Sequence, residues 1–170
     1  MQSGGVGIRI YTLAELYKLE PNWKRKSHLL RVAINRDVPG AGPKQDITLE
    51  QFQQMYLDDS ELDPEAWWVA VDETLNKDSA DGVGPFVGYS NLWISDETRK
   101  KLFTGLTGVI RSHRRRGIAT LLKLKAVAYG QRHHSEQIVT MNEENNPMLA
   151  LNLKLGFQEV EVWQRYEKIF

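Results

Sequence analysis

Four arginines crowd into six positions of the chain, and small residues follow them directly. The segment from position 111 to position 120 is Arg111-Ser112-His113-Arg114-Arg115-Arg116-Gly117-Ile118-Ala119-Thr120. A β-prone run ends near Ile110, and apolar residues at helical spacing begin at about Gly117. The first N–H groups of a helix have no partner within it and lie at the positive end of its dipole, so they bind anions. The sequence therefore predicts a phosphate or pyrophosphate site at this helix start.

The residue types around the helix start suit a phosphate but not the two best-known phosphate motifs. Gly117 and Ala119 leave no bulk where a phosphate approaches the backbone, and the arginines attract it over a longer range. The segment is not a Walker loop, because no Gly-Lys-Ser/Thr follows a glycine at the required spacing. It also lacks the three glycines of a dinucleotide fingerprint. By themselves the arginines equally suit a solvated basic loop or a nucleic-acid patch.

The elements around this segment predict a mixed sheet with helices, a fold of the α/β or α+β class. Strands are predicted at residues 8–11, 66–71, 85–94, 102–110, 138–141, 157–162 and 164–170. Helices are predicted at residues 23–34, after the capping box of Thr48 and Gln51, and at residues 117–132. In the second strand Trp67 and Trp68 must point to opposite faces. One of the two tryptophans is therefore a candidate for an acceptor pocket.

The later helices carry their own end signals. The helix from Gly117 is predicted to bury a wide face, made of Ile118, Leu122, Ala126 and Tyr129 with Leu121, Leu124 and Ala128 beside them. Asn146 is a good N-cap, and Pro147 at the first helical position loses no hydrogen bond. Gly156 is predicted to end that helix. Residues 146–156 are therefore expected to form a short, well-defined helix.

Composition excludes several classes of protein. The 170 residues hold 22 Lys and Arg against 22 Asp and Glu, so the net charge is zero and a generally basic nucleic-acid binder is not expected. Cysteine is absent, which excludes disulfides and thiol catalysis. His133 and His134 point apart on a helix, so no metal is expected there. Without a signal peptide or an apolar span, the chain is predicted to be cytoplasmic, with residues 1–7 as a flexible lead and 8–170 as one domain.

Two groups of residues together resemble the GNAT superfamily of acyl-CoA-dependent N-acyltransferases. Arg114-x-x-Gly117-x-Ala119 after a strand matches the family signature. Downstream stand Val139-Thr140-Met141-Asn142, Asn146-Pro147-Met148-Leu149-Ala150-Leu151-Asn152 and Leu155-Gly156-Phe157. These downstream motifs look most like those of mycothiol synthase and related bacterial GNAT proteins. The resemblance covers about residues 103–170 and implies a GNAT fold, a mostly antiparallel twisted sheet that is splayed at Val109, with helices on both faces.

The resemblance also implies acetyl-CoA as the acyl donor and a division of labour at the site. Val109 would bind pantetheine and polarise the thioester carbonyl, while Asn142 and Asn146 would meet the pantetheine arm or the acceptor. The amine would attack directly, so no cysteine is needed. The residues implied to bind coenzyme A are Thr107, Val109, Ile110, Arg111, Arg114, Arg115, Arg116, Gly117, Ile118, Ala119, Thr120, Asn142, Asn146 and Asn152.

The chain departs from the family pattern at the proton donor. Arg111 stands where many members have Pro, and Arg115 where many have Gly. Asn152 stands where many relatives have a Tyr that protonates the leaving thiolate, and an amide cannot be that acid. By helical spacing Asn152 is expected to be buried with a polar partner, and it is retained here as a catalytic candidate with Val109. Candidates for a general base are Asp96, Glu143 and Glu144.

Several functions stay open on these grounds. The leading one is acetylation of a primary amine on a small molecule, by a monomer or homodimer that needs no metal and binds neither nucleic acid nor membrane. The alternatives are a protein or peptide amine acetyltransferase and a non-catalytic acyl-CoA-binding regulator. A nucleic-acid binder would instead show steep salt dependence and no affinity for coenzyme A.

Overall fold

A computed structural model describes residues 7–39, 44–76, 82–94, 97–142, 144 and 146–160 of the chain. The first half contains β1 (Ile8–Thr12), α1 (Leu13–Leu19), α2 (Trp23–Asn35), α3 (Leu49–Phe52), a π-helical turn (Gln53–Leu57) and β2 (Leu62–Asp72). The second half contains β3 (Phe86–Ile94), β4 (Lys101–Val109), a 3₁₀ turn (Arg111–His113), α4 (Ile118–Arg132), β5 (Gln137–Val139) and α5 (Pro147–Lys154). The predicted helix ends at Thr48 and Asn146 are confirmed, because both side chains accept a hydrogen bond from the first helical turn.

The described strands form one five-stranded sheet in the order β1-β2-β3-β4-β5. The first three pairings are antiparallel, and β4 pairs with β5 in parallel. This confirms the predicted mixed and mostly antiparallel sheet. A parallel pair requires a crossover connection, and α4 supplies it.

Helices cover both faces of this sheet, and β2 shows how the sequence specifies the two faces. Trp67 and Val69 belong to the core beneath α1 and α2, whereas Trp68 and Ala70 belong to the core beneath α4. All four are buried, as the alternation of a strand between two apolar layers requires. Burying each large apolar side chain stabilises the fold by roughly 1.5–3 kcal/mol. Both tryptophans are thus core residues, and neither lines the cavity described below.

The end of α2 lies directly on β4. A Cβ placed on Gly108 would come within 2.1 Å of Cγ2 of Ile34, so only glycine fits at this contact. Ile34 is 3% exposed and belongs to the core on the α2 face. This contact brings the loop that follows α2 over the last residues of β4.

One element was not predicted, and two expectations about the elements are corrected. Helix α1 was not predicted, although Thr12 and Glu15 form a capping box that signals a helix start. The prediction that Leu124 lies on the buried face of α4 is wrong, because its side chain is 47% exposed. Lys123, on the other side of the apolar stripe, is only 2% exposed. Residues 157–160 are not a strand. The remaining positions of the last two predicted strands, 161–170, lie outside the described residues.

Candidate active site

The loop between β4 and α4 ends in a helix start without a side-chain cap. Gly117 precedes α4 with φ +76°, a left-handed conformation that favours glycine, and its side-chain direction opens into free space. No side chain hydrogen-bonds to the first turn of α4, and that turn holds no acidic residue. The N–H groups of Ile118, Ala119 and Thr120 are therefore available to an anion. This is the geometry that the sequence predicted for a phosphate.

Two arginines of the loop have a partner within the protein. Asp37, in the loop after α2, accepts hydrogen bonds from Nε of Arg111 at 2.9 and 3.0 Å and from Nη2 of Arg114 at 2.5 Å. The hydrogen bonds from Arg111, with those from Arg114, lower the pKa of Asp37 to about 2. The carboxylate thus fastens the α2 loop to the arginine loop and offsets part of its charge.

A buried pair supports the base of the same loop. Nε2 of His113 lies 3.1 Å from Oδ2 of Asp72, and Nδ1 lies 2.9 Å from Oγ of Ser112. Asp72 is 3% exposed, and burial alone would raise the pKa of its carboxyl group. Hydrogen bonds from Thr74 and His113 outweigh burial and lower that pKa. Arg116 adds a weaker contact to Asp72 at 3.5 Å, so it too faces a protein carboxylate.

A gap opens between β4 and β5 on the C-terminal side of Phe103. Pairing joins only Lys101, Leu102 and Phe103 to β5, so the strands part six residues before Val109 rather than at Val109. Across β4 from this gap, the N–H of Ile110 donates to the carbonyl of Val87 at 2.9 Å. Neighbouring residues of an antiparallel strand turn their backbone groups to opposite edges, so the N–H of Val109 faces the gap.

Residues of β4, of the segment after β5 and of the start of α5 border this gap. The carbonyl of Val109 accepts a hydrogen bond from Nε of Arg114 at 2.9 Å, which ties the loop to the strand. Asn146 accepts a hydrogen bond from the N–H of Met148 as the cap of α5. Nδ2 of Asn152 donates to Oδ1 of Asn142 at 2.6 Å. The predicted buried position of Asn152 is confirmed at 2% exposure, and its polar partner is Asn142.

A cavity of about 450 Å³ joins the helix start to the gap. It brings together ten of the predicted residues: Thr107, Val109, Arg114, Arg115, Gly117, Ile118, Ala119, Thr120, Asn142 and Asn146. It does not include Ile110, Arg111, Arg116 or Asn152. Asn152 lies behind Asn142 and orients it, while its own Oδ1 is buried without a hydrogen-bond partner. The cavity therefore unites the two motifs that the sequence separates by more than twenty residues.

Two residues of the cavity wall were missed from the sequence. Asp37 is 74 positions from Arg111 and no local pattern relates them. Lys123 lies in α4 on the flank next to Ala119, and burial lowers the pKa of its amine to about 8. The available signal was its place, one turn beyond Ala119 on the same side of the helix.

Other candidate groups do not belong to this cavity. Glu144 is exposed and does not line it, while Asp96 and Glu143 lie outside the described residues. Within the described ranges, no three His, Cys, Asp or Glu side chains are arranged to hold a metal ion. The same part of the chain contains no helix long and apolar enough to cross a membrane.

A mixed sheet that opens between two parallel strands, with an uncapped helix start at the mouth of the opening, defines the class of N-acyltransferases that the motifs resemble. The model of the acetyltransferase (GNAT) family matches residues 30–157, and the chain belongs to that family. Its reaction class is acetyl transfer. No curated protein matches the chain significantly in sequence.

Solved structures share the fold at low sequence identity. A putative acetyl transferase from Pyrococcus furiosus is 16% identical, with a TM-score of 0.62 over 95% of this chain and 99% of that one. The aminoglycoside N-acetyltransferase AAC(6')-Iy in complex with CoA is 20% identical, with a TM-score of 0.58 over 95% and 93%. A chain of the NatC complex bound to Gag peptide and CoA is 22% identical, with a TM-score of 0.57 over 89% and 83%.

Proposed function

We propose that the protein transfers the acetyl group of acetyl-CoA to the primary amine of a small molecule. The observation that carries this proposal is the cavity, because it connects an uncapped helix start to an unpaired backbone N–H in the strand gap. The first suits the pyrophosphate of coenzyme A, and the second suits the thioester carbonyl. Structures of both AAC(6')-Iy and the NatC complex contain CoA, which is consistent with such a donor.

In this proposal most contacts to acetyl-CoA come from backbone N–H groups. The N–H groups at the start of α4 hold the phosphates, and Arg115 adds a positive charge beside them. The N–H of Val109 donates to the carbonyl oxygen as negative charge builds up on it, an interaction worth a few kcal/mol in the transition state. Asn142 and Asn146 keep their Nδ2 groups for the pantetheine arm, because their Oδ1 atoms already accept hydrogen bonds.

The acceptor amine attacks the carbonyl carbon directly. It must arrive neutral and close to the thioester, which is the contribution of proximity and orientation. No covalent enzyme intermediate is required, so a chain without cysteine is suited to the reaction.

The wall formed by α2 favours a small acceptor. Ile34 packs on Gly108, and Asp37 fastens the following loop to Arg111 and Arg114. Residues 37–39 of this loop line the cavity together with Met148 and Leu151 of α5, so both elements limit the space. An extended peptide needs an open groove instead. The likeness of residues 139–152 to mycothiol synthase-related bacterial proteins also supports a small-molecule acceptor, in a cytoplasmic enzyme.

Calorimetry with acetyl-CoA tests the donor, and an amine panel with detection of free coenzyme A tests the acceptor. We expect saturable binding of acetyl-CoA and turnover of at least one small primary amine. Absence of binding up to millimolar acetyl-CoA would refute the site. Turnover of peptide N-termini alone would assign a protein acetyltransferase, and binding without any turnover would assign a regulator.

A further inference from the structure

The leaving group of the proposed reaction needs a proton, and α5 does not supply it. When the C–S bond breaks, the sulfur of coenzyme A carries a negative charge. Asn152 and Asn142 are amides that bind each other, and an amide has no acidic proton at neutral pH. The donor must therefore come from another element of the cavity wall.

Titratable side chains in the described cavity wall can be compared one by one. They are Asp37, His113, Arg114, Arg115 and Lys123. Asp37 is held ionised by two guanidinium groups and has no proton to give. An arginine does not release its proton in a protein. Both ring nitrogens of His113 are engaged, with Asp72 and with Ser112.

Lys123 differs from the other four because it is buried and has no polar partner, whereas Arg115 is exposed. Lys123 is 2% exposed, and no hydrogen bond or ion pair joins it to any described residue. Its amine lies 5.5 Å from the centre of the Phe157 ring, just past the end of α5. A lysine is almost never buried in this way without a partner unless a ligand supplies one or the amine loses its charge easily.

Its place in α4 puts Lys123 between the two ends of the cavity. The residue lies six positions beyond Gly117, which is about 9 Å along the helix axis. Gly117 marks the proposed phosphate end, and Asn142, after β5, lines the same cavity. A coenzyme A arm that runs along the cavity from the helix start therefore passes the part of the wall to which Lys123 belongs.

The charged groups on the neighbouring elements do not neutralise Lys123. The strands packed against α4 carry Asp63, Glu65, Asp72 and Lys101, and α5 carries Lys154. Asp63 is paired with Arg99 and Asp72 with His113. Burial is the sole cause of the lowered pKa of Lys123, about 8, so no charge on these elements acts on it appreciably. Because this pKa is close to that of a thiol, a proton can pass from the Lys123 ammonium to the coenzyme A sulfur at little cost in free energy.

We propose that Lys123 protonates the thiolate of coenzyme A as it leaves. The inference rests on the proposed function. The amine nitrogen of the acceptor forms the C–N bond, the C–S bond breaks, and an N–H proton of the Lys123 ammonium passes to sulfur. The acceptor nitrogen loses one proton to water, and Lys123 regains one from water. The products are the acetamide and neutral coenzyme A thiol, so atoms and charge balance.

One test needs no turnover and no variant. The thiol of bound coenzyme A is titrated through the ultraviolet absorbance of the thiolate, with free coenzyme A as reference. An ammonium beside the sulfur lowers the pKa of the bound thiol by about one unit. A bound thiol that titrates like free coenzyme A would overturn the proposal, even if the enzyme proves active. A lowered thiol pKa in a protein that acetylates no amine would retain Lys123 and refute only the proposed function.

Lys123→Met then isolates the charge, with Lys125→Met as the matched control on the exposed side of α4. We expect Lys123→Met to lower kcat about 100-fold and to abolish the fall of kcat above pH 8, with acetyl-CoA affinity within threefold of the original protein. The thiol pKa should return to that of free coenzyme A. Lys125→Met should change none of these. A kcat within threefold of the original, or an unchanged alkaline limb, would contradict a proton donor at this position.

Discussion

The two ends of the cavity differ in the chemical groups that they offer to a ligand. At the phosphate end the functional groups are backbone N–H groups at the start of α4, exposed by Gly117. At the gap end side chains join the backbone N–H of Val109: Asn142 after β5 is held there by Asn152 of α5, and Lys123 of α4 lies between the two ends. A backbone site depends on local conformation, whereas a side-chain site depends on packing between distant segments. Substitutions at the two ends should therefore have different effects on ligand affinity and on stability.

The largest effect is expected at the backbone end. Gly117→Glu places a carboxylate at the helix start where the proposed function puts the phosphates, so acetyl-CoA affinity should fall about 100-fold or more. Calorimetry measures the affinity, and a thermal melt checks the fold. Gly117→Gln is the matched control, because it has the same size and the same strain at φ +76° without the charge. Equal losses in both variants would show that conformation, and not charge, dominates this end.

Substitutions at the contact between α2 and β4 should change the stability of the protein. Gly108→Ala forces a methyl group against Ile34, so the free energy of unfolding should fall by about 1–3 kcal/mol as α2 moves away. Urea unfolding measures this. Adding Ile34→Ala removes the atom that clashes, so the Gly108→Ala step should cost less in that background than alone. A full, additive loss in the double variant would mean that the contact between α2 and β4 is not as described.

At the side-chain end the two asparagines should be coupled. Asn152→Ala leaves Asn142 without its donor, and Asn142→Ala leaves a buried Nδ2 unpaired, so each should lower the free energy of unfolding by about 1–3 kcal/mol. The double variant should lose less than the sum, with a coupling of about 1 kcal/mol. Additive losses would place the two side chains apart. Neither variant should alter phosphate binding, measured with a nucleotide fragment of coenzyme A.

The smallest effect concerns the ion pairs over the phosphate end. The folded pKa of Asp37, about 2, lies below the ordinary 3.8, so the pairing stabilises the protein fully above pH 4 and is lost as the pH falls towards 2. Because Arg111 is largely exposed, solvent screens the pair and we expect only a small loss of stability. Asp37→Asn should remove this part of the pH dependence in urea unfolding between pH 5 and pH 2. The control Asp46→Asn breaks a more exposed pair with Arg36 and should change the slope less.

The same contrast explains what could be predicted from the sequence. The helix start at Gly117 and the caps at Asn146 and Gly156 follow from local conformational rules, and the structure has all three. The alternation of β2 between two cores was predictable for the same reason.

Features that depend on tertiary packing were not predictable. The pairing of Asp37 with Arg111 joins segments more than seventy residues apart, and nothing in either segment requires it. The buried position of Lys123 follows from which flank of α4 turns towards the cavity. The apolar stripe alone favoured the opposite flank, where Leu124 is exposed.

The parting of β4 from β5 after Phe103 has a consequence for the ligand-free protein. Among the described residues, β5 pairs only with Lys101, Leu102 and Phe103, so a donor bound in the proposed way completes the sheet beside Val109. Stability and donor concentration are then linked: at 100 times the dissociation constant, a ligand that binds only the folded state adds about 2.7 kcal/mol. Under the proposed function, the resistance of this protein to unfolding therefore reports the concentration of acyl donor around it.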